Sequence, residues 1–112
     1  MIKIGTITFP QDAADKVAEC YTQLPSPEGN VKLIDTYIYN DGEGDNRAFS
    51  IFEYDDASEK DMEVYLKKRY EAFSKIPGLT YTMEDWIRVQ DALRMLAEGE
   101  FDTNVISSNI GL

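Results

Sequence analysis

The side chains of this chain that could do chemistry are mostly oxygens and one basic cluster. Asp41-x-Glu43-x-Asp45 places three carboxylates on alternate residues, as the opening of a calcium loop does. The EF-hand pattern also needs glycine at its sixth place and glutamate at its twelfth, where this chain has Asn46 and Phe52. An acidic reversal between two strands is the better reading. Asp35, Ser50 and Glu53 are polar positions inside otherwise apolar segments. A buried carboxylate there could act as a general base. The plainer reading puts these groups near strand ends or at a wet subunit rim, satisfied by tyrosine hydroxyls. Tyr37, Tyr39, Tyr54, Tyr65, Tyr70 and Tyr81 could line a pocket for a flat aromatic ligand, and they suit a protein interface equally well. Lys67-Lys68-Arg69 could hold an anion. On a helix flanked by Glu63 and Glu71 it reads instead as a solvated, internally paired face. Cys20 lies on an apolar stripe and is expected to be a small core residue.

What is missing narrows the chemistry further. The sequence has no histidine, which removes His-based acid–base catalysis, His-supported triads and ordinary zinc sites. One cysteine excludes an internal disulfide framework. A net charge of −10 argues against nucleic acid, which needs a basic stripe, and against anionic membrane surfaces. No run approaches the roughly 18 apolar residues of a membrane span. MIKIGTITFP lacks the long apolar region and small-residue cleavage site of a secretory leader, so a cytoplasmic location is expected. No cofactor and no metal are expected.

The elements that must position these residues centre on Val31–Asp56. Val31–Tyr39 and Arg47–Tyr54 are rich in Val, Ile, Tyr, Phe and Thr, and Asp41–Asn46 supplies the glycines and short polar residues of a reversal. A register with Asn40 opposite Arg47 puts Ile34, Ile38, Phe49 and Ile51 on the side that receives helices. The other side then carries Leu33, Tyr37, Tyr39, Phe52 and Tyr54, with Asp35 and Ser50. A slip of one residue exchanges the faces. Both faces are apolar, whereas a sheet with one wet face alternates. A second copy of the chain is therefore the expected cover.

Ile2–Phe9 reads as a first strand, with Gly5 as a bulge or close-approach point, and Pro10 ends it. Asp12 is the expected N-cap of a helix to about Leu24. Ser58 and Asp61 approximate a capping box opening a second helix that runs to about Ile76, where Pro77-Gly78 stops it. Its expected buried stripe is Met62, Tyr65, Leu66, Tyr70, Phe73 and Ile76. Leu79–Met83 alternates as a fourth strand, and from about Asp85 the spacing of Trp86, Val89, Leu93 and Leu96 predicts a terminal helix. One domain over residues 1–99 follows, with residues 100–112 a tail that is flexible or docks on a partner.

The order β-α-β-β-α-β plus a helix predicts an α+β fold of the ferredoxin-like kind, one antiparallel sheet with two helices on one face. In element order and size over Ile2–Met95, and in the turn Pro27-Glu28-Gly29, the chain resembles the dimeric α+β barrel superfamily and its small uncharacterised bacterial members. The resemblance implies a homodimer built through the sheet face. It also implies several activities. Haem-binding members use a histidine that this chain lacks, and the aromatic and Asn positions of the cofactor-free monooxygenases find no residue-by-residue match. The expectation is a homodimeric domain binding a small apolar or aromatic ligand, without assignable catalysis. A cofactor-independent monooxygenase- or isomerase-like enzyme is the alternative. Asp35, Tyr37, Tyr39, Ser50, Phe52, Tyr54 and Trp86 are the expected residues of the ligand pocket or dimer face.

Overall fold

The computed structural model describes residues 1–40, 42 and 44–99. Strand β1 (Ile2–Phe9) is followed by a 3-10 turn, Gln11–Ala13, and helix α1 (Ala14–Gln23). Strands β2 (Lys32–Tyr39) and β3 (Asn46–Glu53) form the hairpin, and a second 3-10 turn, Asp56–Ser58, leads into α2 (Glu59–Ser74). Strand β4 (Thr80–Trp86) and helix α3 (Val89–Ala97) complete the described chain. The sheet order is β2-β3-β1-β4, with every neighbouring pair antiparallel. This is the α+β, ferredoxin-like arrangement that the order of elements predicts. The expected tail, 100–112, lies outside the described residues. Among them, no helix is long and apolar enough to cross a membrane.

Neither main helix begins on a side-chain cap. Pro10 and the 3-10 turn lead directly into α1, and neither the expected Asp12 cap nor one from Ser58 forms. Acidic residues still sit in both first turns, Asp15 in α1 and Glu59 with Asp61 in α2, where the helix dipole favours them. α2 buries Met62, Tyr65, Arg69 and Phe73, one stripe at helical spacing that faces the sheet. Tyr70, expected on that stripe, is half exposed.

The hairpin register differs from the expected one by one residue. Tyr39 faces Arg47, Tyr37 faces Phe49, Thr36 faces Ser50, and a bulge falls between Leu33 and Asp35. Ala48, Ser50, Phe52 and Tyr54 therefore point under the helices and are buried. The expected placement of Ser50, Phe52 and Tyr54 on the outer face is thus corrected. Its physical reason lies in what α2 offers: Phe52 and Tyr54 pack on Met62 and Tyr65, and Ser50 accepts a hydrogen bond from Arg69 of the same stripe. Tyr37, Tyr39, Phe49 and Ile51 take the opposite, open face.

Two buried clusters result. One joins Ile7, Phe9, Val17, Ala48, Phe73 and Ile76; the other joins Val31, Phe52, Tyr54, Met62 and Tyr65. Trp86 also moves: it ends β4, paired with Ile2, instead of opening the terminal helix. Pairing along the whole length of β1 extends β4 past the point where helical spacing begins. In α3 only Ala92 is buried, and Val89, Leu93 and Leu96 remain exposed.

Candidate functional site

The two clusters meet at a charge. Arg69 is 3% exposed, carried by the buried stripe of α2 onto the middle of the sheet. Its Nη2 donates to Ser50 Oγ at 2.9 Å, and Nη1 donates to Tyr65 Oη at a longer 3.4 Å. Ser50 shares a 2.7 Å hydrogen bond with Thr36, its cross-strand partner on β2. The guanidinium carbon lies 5.2 Å from the Phe52 ring centre, 5.5 Å from Phe73 and 5.6 Å from Tyr21. None of the ion pairs among the described residues includes Arg69.

That absence of a carboxylate sets the electrostatics. Arginine stays protonated in proteins, so the charge cannot be shed. Taking such an ion out of water costs several kcal/mol, and each ring face returns only about 0.5–2 kcal/mol. Two hydrogen bonds use a fraction of the five N–H donors. A guanidinium so placed is held by hydroxyl oxygens and three ring faces in place of a carboxylate.

A third hydroxyl belongs to the same centre. Tyr81 lies on β4 opposite Ile7, and its buried hydroxyl is close enough to Arg69 to feel its charge, though it makes no well-formed hydrogen bond among the described residues. Gly5 makes room for it: a Cβ on Gly5 would lie 3.2 Å from Tyr81 Oη and 2.9 Å from Met83 Cε. Gly5 is paired with Ser50, so Arg69, Ser50 and Tyr81 meet over one point of the sheet. Burial pushes the Tyr81 hydroxyl up to about 12, against the opposing pull of Arg69. Burial likewise raises Tyr21, again opposed by Arg69. Both phenols are neutral donors at ordinary pH.

The expected site residues are divided by the sheet. Ser50 and Phe52 join the Arg69 centre. Tyr54 is buried with Phe52 in the same cluster. Tyr37 and Tyr39 stay on the open face, where Tyr37 packs on Phe49 at 5.1 Å and Arg47 lies 5.2 Å over Tyr39. Asp35 is exposed on the edge strand and accepts from the Thr36 N–H at 2.8 Å, so it is no buried base. Trp86 is half-buried at the end of β4, and its buried Nε1 has no hydrogen-bond partner among the described residues. Lys67 and Lys68 are exposed as expected, but Arg69 is not. Sequence reasoning missed it because the basic triplet was read as one unit. The usable signal was its place on the stripe, four residues from both Tyr65 and Phe73.

Two depressions lie nearby, each sharing one wall residue with the surroundings of Arg69, Tyr21 in one and Tyr65 in the other. An apolar cleft of about 190 Å³ runs between α1 and the edge of the sheet, walled by Phe9, Ala14, Val17, Ala18, Tyr21 and Ile38, with Asn40 and Asn46 at its polar end. A groove of about 370 Å³ lies between the 25–29 segment and α2, where Tyr65 and Lys68 share the lining with Glu28 and Asp61. Asp41 and Glu43 of the calcium-like stretch lie outside the described residues. Among the described ones, no group of three or more His, Cys, Asp or Glu is placed to hold a metal.

No family model matches the chain, and no curated protein matches it. Solved structures do. A formyltetrahydrofolate deformylase from Pseudomonas putida is similar over 89% of this chain and 39% of its own, at 14% identity and a TM-score of 0.48. An aminopeptidase, PepT, from Bacillus cereus is similar over 88% of this chain and 35% of its own, at 11% identity and a TM-score of 0.44. SnoaB, a cofactor-independent oxygenase from Streptomyces nogalater, is similar over 79% of this chain and 94% of its own, at 7% identity and a TM-score of 0.38. The chain thus spans well under half the length of the first two. At these scores and identities no activity passes from them to this chain.

Proposed function

We propose that the protein is a homodimeric ligand-binding domain of the dimeric α+β barrel kind, its two sheets packed face to face. The observation that carries this is the open face of the sheet. Tyr37, Tyr39 and Phe49 are 50%, 53% and 39% exposed there, beside the half-buried Ile2, Ile4 and Ile51. Soluble monomers rarely leave so contiguous an apolar surface in water. A two-fold copy covers it without a new element, because an isologous interface needs only self-complementarity. The ligand space is the apolar cleft beside α1, whose size and lining suit one small apolar or aromatic ring. An enzymatic reading of the isomerase kind would need a buried base, and exposed Asp35 does not supply one.

Sedimentation of the wild type beside Phe49→Glu tests the dimer. Wild type is expected at twice 12.8 kDa and the variant, still folded, at 12.8 kDa. Added salt should tighten the wild-type dimer, because copies of net charge −10 repel and the repulsion is screened. A wild type that sediments as a monomer at micromolar concentration ends the proposal.

A further inference from the structure

We propose that the cleft beside α1 recognises a small neutral ring carrying one O–H or N–H group, and that Asn46 accepts the hydrogen bond from that group. The inference rests on the ligand-binding half of the reading above and names the class of ligand. It is independent of the dimer, since one chain holds the whole cleft.

Asn46 is at once a wall of the cleft and an unpaired polar group. It opens β3 opposite Phe9, on the face it shares with Ala48, where Phe9 and Ala48 pack with Val17 of α1. The residue is 6% exposed, and its Oδ1 is buried with no hydrogen-bond partner among the described residues. An acceptor left unpaired in this way costs free energy that a donor on a ligand recovers. Asn40, the other polar residue of the cleft, already uses its Oδ1 on the Gly42 N–H at 2.6 Å. The open acceptor is therefore that of Asn46. A ligand enters from water, because Ala18 and Ile38 of the same cleft are exposed, Ile38 by 67%. The last torsion of an asparagine is broad, so the carboxamide turns its oxygen towards a donor without leaving its place on the strand.

The rest of the lining fixes the ligand's character. Among the described residues no charged side chain lines the cleft. An ion there would be desolvated without a partner, so the ligand is neutral. Phe9 and Tyr21 offer rings to a flat apolar body. A dry cavity of about 150 Å³ holds benzene, and the cleft measures about 190 Å³, which suits one substituted ring. The larger groove beside α2 lacks these features. Glu28, Asp61 and Lys68 charge its lining, and none of the buried unpartnered side-chain atoms among the described residues belongs to it.

The test is NMR titration of the full chain with phenol and with toluene, which replaces the hydroxyl by a methyl group of similar size. Wild type is expected to bind both saturably, at one site per chain. The reference is the partition of the two compounds from water into cyclohexane, which offers no acceptor. Against that reference phenol should gain about tenfold or more in the cleft, as a hydrogen bond to a buried acceptor requires. Asn46→Leu removes the acceptor at similar volume, and the gain should vanish while toluene still binds. The fold should tolerate this change, because it removes an unpaired polar atom. Ala18→Leu, on an exposed part of the cleft wall, should weaken both compounds. A wild-type ratio equal to the partition ratio overturns the inference and leaves the small-ligand reading standing. An undiminished gain in Asn46→Leu, or undiminished binding of both compounds by Ala18→Leu, overturns it as well. Neither compound bound overturns both readings. If Asn46→Leu fails to fold, the wild-type ratio decides.

Discussion

Phe49 and Phe52 sit three residues apart on β3, and truncating each in turn tests the observed register. Phe52 is fully buried, its ring edge-on to Tyr65 at 5.9 Å and 5.2 Å beneath the Arg69 guanidinium. Removing a buried phenylalanine costs about 3–5 kcal/mol. Phe52→Ala belongs in the upper half of that range, because it also strips one ring face, worth about 0.5–2 kcal/mol, from the buried Arg69 charge. At roughly 4–8 °C per kcal/mol for a domain near this size, the melting temperature should fall by roughly 16–40 °C. Phe49 is 39% exposed in the single chain. Its truncation there should cost only about 1 kcal/mol, by the area it removes from water. Any larger loss for Phe49→Ala would come from the dimer and shrink as the protein is diluted. Urea unfolding followed by circular dichroism at two protein concentrations separates these contributions. A Phe52→Ala variant that loses less than about 1.5 kcal/mol would place its ring outside the core and refute the register.

Two further outcomes follow from local geometry. The Tyr81 hydroxyl, raised from 10 to about 12 in the folded chain, contributes stability that is full below pH 10 and is lost as pH rises towards 12. The loss should reach about 1–2 kcal/mol, discounted for the part of the ring that water reaches. Tyr81→Phe should flatten that window in pH-dependent melts, and an unchanged slope would count against the buried placement. Gly78→Ala should cost about 1–2 kcal/mol, since φ is +80° and the new Cβ would lie 3.0 Å from Pro10 Cγ. Gly29→Ala, with φ +65° and only an ordinary 3.6 Å contact to Asp61, should cost less in the same chemical denaturation.

The succession of elements was legible because each strand is rich in β-branched and aromatic residues and most breaks carry Pro or Gly, as at Pro10, Pro25–Gly29 and Pro77-Gly78. The register was not, for a physical reason visible in β2 and β3 themselves. Both strands are apolar at odd and even positions alike, so alternation cannot choose a face, and the bulge beside Ile34 shifts the phase without a sequence mark. Trp86 was misplaced because Trp86, Val89 and Leu93 satisfy helical spacing locally. Pairing with Ile2 outweighs that spacing only once β1 is present beside it. Arg69 was hidden by its neighbours. Lys67 and Lys68 are exposed, and a charge inside an apolar stripe runs against the expectation that charged residues stay wet. The burial of the Tyr81 hydroxyl depends on Gly5 lying across the strand pair, a contact that no local pattern records.

The bulge between Leu33 and Asp35 has a consequence for how the molecules coexist at high concentration. β2 is an edge strand, with Ile34 51% and Ile38 67% exposed. A straight edge of that composition is a template for open-ended polymerisation, one sheet extending into the next. The extra residue twists the edge away from the flat geometry such addition needs, and Lys32 and Asp35 set charges on either side of it. At the other edge Glu84 and Asp85 repel a like copy. The irregularity that obscures the register in the sequence thus guards the protein against fibril growth. Deleting Ile34 to restore a regular ladder would yield a chain that aggregates sooner.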